Sequence, residues 1–200
     1  IKKRERIEHH PALPFTKVNS VIKALDQSKS IGAKVLMLTI LTAVRPNEAR
    51  AATWDEFDLN EKVWTIPKTR MKSKREHRVP LSDKVVELLN SVEKTESPLV
   101  FSSRNNTVLS DVTISKVLRG IVAGVTVHGF RSTFRDWCSE RTNFSGEVAE
   151  MALAHTIPNM VEASYRRGDL FEKRISLMQT WANYCYSEDK TATITHLKQA

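Results

Sequence analysis

The sequence predicts a mixed domain, mainly α-helical with a small antiparallel sheet, on three observations. Apolar residues recur at helical spacing through most of the 200 residues. Two short stretches break that pattern, Val63-Trp64-Thr65-Ile66-Pro67 and His77-Arg78-Val79-Pro80-Leu81; both are β-branched or proline-bounded and read as the strands of a hairpin. An apolar fraction of 40% with 27% charged residues is ordinary for a globular chain, and this length is enough for one sizeable core.

The elements follow in order. After Pro11 to Pro14, Thr16 is placed to cap a helix whose apolar positions are Val18, Val21, Ile22 and Leu25. The next segment, Ala33 to Ala43, is apolar nearly all round and so reads as a central buried helix. Arg45 stands at its end. Pro46 suits the first position of a new helix and Glu48 its first turn, where an acid complements the helix dipole, so Arg45 occupies a corner between two helices. The hairpin follows. Its tip, Lys68-Thr69-Arg70-Met71-Lys72-Ser73-Lys74-Arg75, holds five cations, which fits either a solvated loop or a hairpin lying along a phosphate backbone. Ser82 is placed to cap a helix with Val85, Val86, Leu88 and Leu89, and Ser110 one with Val112, Ile114, Val117 and Leu118. Leu99-Val100-Phe101 between them is either a third strand or an extended connector. From Thr126 the chain reads as helical nearly to Tyr186, with breaks around Asn143 to Gly146, at Pro158 and at Gly168.

Three units are expected: residues 1–14 as an interdomain linker remnant, 15–186 as the main folded domain and 187–200 as a polar, mobile tail. The opening Ile1-Lys2-Lys3-Arg4-Glu5-Arg6 lacks the features of a signal or transit peptide, and the longest apolar run, near Val35 to Val44, is too short to span a bilayer. Cys138 and Cys185 form neither a disulfide framework nor a zinc spacing. The net charge of +8 and pI near 9.6 point to a polyanionic partner, because clustered Lys and Arg release counterions when they neutralise phosphates.

Where the charges sit matters more than their number. His128-Gly129-Phe130-Arg131 places an imidazole and a guanidinium on one face of a first helical turn, a weak signal by itself. Farther on comes Tyr165, flanked by Ser164, Arg166 and Arg167 and preceded by His155. A phenol titrates near about 10, so its attack at neutral pH needs a base or a cationic surrounding. Tyr184 and Tyr186 sit instead on an apolar stripe with Ile175, Met178, Ala182 and Cys185.

In order along the chain, Thr42-Ala43-Val44-Arg45-Pro46-Asn47-Glu48, the basic hairpin with Lys72, His128-Gly129-Phe130-Arg131, Leu153-Ala154-His155 and Tyr165 resemble the catalytic domain of tyrosine recombinases. Trp54-Asp55-Glu56-Phe57-Asp58, Thr126-Val127-His128-Gly129-Phe130-Arg131 and Ala154-His155 with Pro158-Asn159 resemble, more narrowly, the prophage and genomic-island integrases. The resemblance runs from about Thr16 to Tyr186. Ala43 departs from it, standing where the family usually has glycine, a change expected to be tolerated if that backbone is helical.

The resemblance implies a site-specific recombinase with a tyrosine recombinase catalytic fold. Arg45 and Arg131 would grip the scissile phosphate, and Lys72 would protonate the leaving 5′ oxygen, with Lys74 the neighbouring alternative. His128 would help move the tyrosyl proton and His155 would donate a hydrogen bond to the phosphate, with Tyr165 as nucleophile and Glu48 as support. Arg70, Lys74, Arg75, Arg166 and Arg167 are the expected DNA-binding residues. No metal or other cofactor enters this scheme. It further implies double-stranded attachment-site DNA, a homotetramer on that DNA, accessory bending or directionality factors, no membrane, and the nucleoid of a bacterial cytoplasm. The segment from Asp169 to Cys185 is expected either to pack on its own domain or, by the resemblance, to dock on a neighbouring subunit. Two other readings remain: a type IB topoisomerase-like enzyme, and a DNA-binding regulator whose cations only clamp phosphates.

Overall fold

The computed structural model describes residues 11–155 and 168–187, and within them the chain forms eight α-helices around one core with a three-stranded antiparallel sheet at its side. A 3-10 turn, Phe15–Lys17, leads into α1 (Val18–Asp26), which buries the four apolar positions expected of it. Thr16 does not cap this helix. Pro14 has already started the turn, with the Lys17 N–H bonding the Pro14 carbonyl at 2.9 Å, so Thr16 lies inside it. Within residues 11–14, Leu13 is buried, and its carbonyl accepts the Thr133 hydroxyl at 2.6 Å.

The central helix α2 (Ile31–Thr42) is capped by Ser30, whose Oγ accepts from the Ala33 N–H. It is buried nearly all round. Thr39 and Thr42 are tolerated there because their hydroxyls bond back to the Val35 and Leu38 carbonyls, at 2.8 and 2.6 Å. The short α3 (Pro46–Arg50) follows, then a 3-10 turn, Trp54–Glu56.

The sheet has the order β1 (Phe57–Asp58), β2 (Val63–Ile66), β3 (His77–Pro80). Its predicted hairpin pairs Val63 with Pro80 and Ile66 with His77, which places Trp64, Ile66 and Val79 inward. The third strand is β1, not Leu99-Val100-Phe101. That stretch is an extended connector with one bridge, Thr53 to Leu99.

Helices α4 (Asp83–Asn90) and α5 (Asp111–Arg119) start at the predicted serines. Ser110 Oγ accepts the Thr113 N–H, whereas Ser82 makes no cap bond and its buried Oγ lacks a partner. Then come α6 (Phe130–Arg141), α7 (Gly146–Ala152) and α8 (Phe171–Tyr186). On α8, Leu177, Met178, Trp181, Ala182 and Cys185 are buried, and Trp181 Nε1 donates to the Ile40 carbonyl at 2.9 Å. Trp137, Trp181 and Tyr184 pack ring on ring. Most of the apolar face of Asp169 to Cys185 therefore packs on its own core, with Ile175 left 42% exposed.

A polar clasp joins α8 to β3. Arg174, 1% exposed, donates to the Arg78 carbonyl at 2.5 Å and to the Asp169 carboxylate at 2.6 Å, and that carboxylate takes both Nε and Nη2 of Arg78. It fixes the chain at residue 169, just past the 156–167 stretch, against the strand that begins at His77.

Candidate active site

The site is built where three chain reversals meet. At the first, α2 ends with Ala43 in the left-handed region, φ 54° and ψ 19°, and Arg45 then extends to become the N-cap of α3. The expectation of a helical backbone at Ala43 is thus corrected: an L-residue adopts this conformation at a penalty of about 1–2 kcal/mol. Ala43→Gly is expected to stabilise the domain by about 0.5–1 kcal/mol, after the added entropy of an unfolded glycine is set against the relieved strain. A rise in the urea midpoint checks this, and a fall would contradict it.

Glu48, 4% exposed, answers Arg45 twice. Its Oε2 accepts the Arg45 backbone N–H at 2.9 Å and its Oε1 the Arg45 guanidinium at 3.0 Å. Backbone and side chain of Arg45 are thus fixed by one carboxylate.

The second reversal carries His128 and Arg131. Thr126 holds the turn by accepting the Gly129 N–H at 3.0 Å, and the Arg131 N–H returns to the His128 carbonyl at 3.1 Å. Gly129 has ordinary helical angles; what it needs is room, since a Cβ there would lie 2.2 Å from the Pro11 carbonyl oxygen. His128 is exposed and precedes α6, while Arg131 is 6% exposed in its first turn.

Arg131 ties the three reversals together. Nη1 donates to the Ala43 carbonyl at 2.6 Å, Nη2 to the Leu153 carbonyl at 2.6 Å, and Nη2 also meets His155 Nε2 at 3.0 Å. Burial, followed by the nearby Arg45 charge, pushes its pKa down to about 10, so it remains cationic at neutral pH. The third reversal is at Ala154, also left-handed with φ 50°, which turns His155 back over the end of α7. There His155 Nδ1 meets Glu150 Oε2 at 2.6 Å, and Arg135 Nε meets Glu150 Oε1 at 2.5 Å.

The structure thus brings Arg45, Glu48, Arg131 and His155 together. Lys72, Lys74 and Arg75 are exposed at the hairpin tip, which Met71 anchors with its buried side chain. Arg70, expected to face DNA, instead turns inward: its guanidinium pairs with Glu56 and donates to the Glu48 carbonyl at 2.5 Å. Tyr165, Arg166 and Arg167 lie outside the described residues, as does the tail beyond Ser187.

Sequence reasoning missed Glu56, Glu150, Arg135 and His77. His77 is buried at the start of β3 and bonded to the Ala152 backbone; burial first, then the charges of Arg174, Arg131 and Arg45, lower its pKa to about 4. It is therefore neutral in the fold at neutral pH. An unfolded histidine takes its proton near about 6.5. The contribution of a neutral His77 is thus fully present above that pH and is lost as pH falls toward 4, where it has removed about 3 kcal/mol. Urea unfolding at pH 7 and pH ~4.5 should show a smaller loss for His77→Gln than for wild type. Equal losses would contradict the assignment.

Known proteins share this arrangement of elements. The phage integrase family profile matches residues 12–170. Prophage integrase IntA of Escherichia coli (strain K12) is 37% identical over 172 residues, covering 82% of this chain and 41% of that protein. The integrase of Enterobacteria phage P4 is 31% identical over 202 residues, covering 90% and 46%. The chain thus spans less than half the length of these two relatives. In structure it is similar to the integrase from mycobacterium phage Brujita, with a TM-score of 0.65 at 15% identity over 98% of this chain and 63% of that one. XerA recombinase gives a TM-score of 0.59 at 18% identity, over 85% and 64%. These two likenesses show a tyrosine recombinase catalytic fold, and the match across most of its length shows that the chain belongs to the phage integrase family.

Proposed function

We propose that this chain is the catalytic domain of a site-specific recombinase that cuts and rejoins duplex DNA through Tyr165. The observation that carries the reading is the Arg131 hub, which ties the turn at Ala43, two residues before Arg45, to the turn that carries His155. Such preorganised cations suit a phosphate whose charge grows in a pentacoordinate transition state, because they need not reorganise as the reaction proceeds. Relatives with solved DNA complexes support the same partner: XerH recombinase was seen bound to its difH substrate and lambda integrase to a COC′ core site.

In this reaction the Tyr165 oxygen attacks the scissile phosphorus, its proton passing to His128, while Arg45 and Arg131 hold the non-bridging oxygens. The bond to the 5′ oxygen breaks, and Lys72 supplies that oxygen with a proton. Lys72 is favoured over Lys74 because it directly follows Met71, whose side chain is 2% exposed and fixes the local backbone. The 3′-phosphotyrosyl link conserves the bond energy, so a second 5′ hydroxyl can reverse the step. Lys74, Arg75, Arg166 and Arg167 would contact the DNA backbone, and Glu48 would support Arg45. In the intact protein the working form is a homotetramer on two attachment sites in a bacterial nucleoid, aided by DNA-bending or directionality factors.

Incubating the intact protein with two attachment-site duplexes tests this. Recombinant joints are expected from wild type, and none from Tyr165→Phe, which still binds DNA. A regulator that merely clamps phosphates would tolerate that substitution. A topoisomerase would relax supercoiled DNA lacking any attachment site, and either outcome would overturn the proposal.

A further inference from the structure

Four side chains form a line across the site: Arg135, Glu150, His155 and Arg131, joined by contacts of 2.5, 2.6 and 3.0 Å. The last contact sets the chemistry of the line. A guanidinium offers donors only, so His155 Nε2 must accept from Arg131 Nη2 and carries no proton there. The ring proton then sits on Nδ1 and is donated to Glu150 Oε2.

We propose that Glu150 is a positioning residue for the reaction: by engaging His155 Nδ1–H, it presents Nε2 as an acceptor to Arg131 and so fixes the imidazole beside the guanidinium that grips the phosphate, while Arg135 holds Glu150 in place. This rests on the reading of Arg131 and His155 as residues of a recombinase active site. The local fold explains how a residue five positions back can do it. The His155 N–H bonds the Glu150 carbonyl at 3.0 Å, a wide turn closed by left-handed Ala154, and that reversal lays the ring over its own Glu150. Arg135 lies one helical turn past Arg131 on α6, so α6 supplies both ends of the line and α7 with its exit supplies the middle. Partial burial would raise the Glu150 pKa, but the bonds from Arg135 and His155 hold it below the usual carboxylate range, so it stays an acceptor. Without Glu150 the imidazole is free to rotate or to adopt the other tautomer, whose Nε2–H would face the donors of Arg131.

Two readouts on the intact protein test this. Side-chain ¹⁵N NMR of the DNA-free protein, with His155 assigned by loss of its signals in His155→Gln, should show the neutral Nδ1–H form, lost in Glu150→Ala and restored in Glu150→Asp. Single-turnover formation of the covalent intermediate on a nicked attachment-site duplex should slow about 10- to 100-fold in Glu150→Ala, with DNA affinity unchanged. In a His155→Gln background the same substitution should cause no further loss. An Nε2–H tautomer in wild type, or losses that multiply in the double variant, would overturn the proposal. A wild type that shows the Nδ1–H form but makes no intermediate would overturn the recombinase reading while leaving the hold of Glu150 on His155 intact.

Discussion

Arg131→Lys is expected to slow covalent attachment of the protein to its DNA by at least about 100-fold, although the positive charge is kept. The reason is geometric. One planar fork spans the Ala43 and Leu153 carbonyls and still reaches His155 Nε2, whereas an ammonium on a flexible stem cannot satisfy both carbonyls in those directions. Both carbonyls would have to share one ammonium nitrogen, and the turns that deliver Arg45 and His155 would no longer be fixed to each other. Arg131→Ala removes the charge as well, and about 1000-fold loss or more is expected. Because it also leaves both carbonyls without this donor, it should lower stability by about 2–4 kcal/mol. Single-turnover cleavage and urea unfolding measure the two effects. A lysine variant within about threefold of wild type would contradict the role of Arg131 as the tie between the turns.

Glu48→Ala is expected to have the second largest effect. It deletes both acceptors of Arg45, leaving its backbone N–H without the carboxylate and its guanidinium free to leave the phosphate position. Arg45 is about a quarter exposed, so solvent recovers part of the lost interaction; about 2 kcal/mol of stability and about 100-fold in cleavage should be lost. Glu48→Gln should fall between the two, since its amide oxygen can still accept the N–H. A Glu48→Ala protein that cleaves normally would show that Arg45 needs no support.

Much of this was legible in the sequence because local rules and chemistry agree there. Pro46 at a first helical position and Glu48 in its first turn placed Arg45 at a corner, and β-branched alternation located β2 and β3. The hidden parts depend on chain reversals that carry little local signal. Alanine is a helix former, so the residue type at Ala43 and Ala154 does not announce a left-handed turn, although the glycine usual in the family at the first of them points to one; those turns aim Arg45 and His155. Glu150 and His155 are five apart, not helical neighbours, and only the reversal at Ala154 brings them together. Arg70 looked like one cation in a basic run because its partner, Glu56, lies 14 residues earlier in a different element. His77 looked like a strand residue, since no pattern within β3 reveals that Arg174, Arg131 and Arg45 surround it. β1, at two residues, is too short to show any alternation.

The most direct test of the central claim is the identity of the atom that joins protein to DNA. The intact wild-type protein should be incubated with a nicked attachment-site duplex in the presence of a chelator, digested with protease, and the nucleotide-bearing peptide sequenced by mass spectrometry. A 3′-phosphoryl group on the Tyr165 oxygen and a free 5′ hydroxyl on the released strand are expected. No covalent product on the cognate site, or a phosphoryl group on any other residue, would contradict the claim.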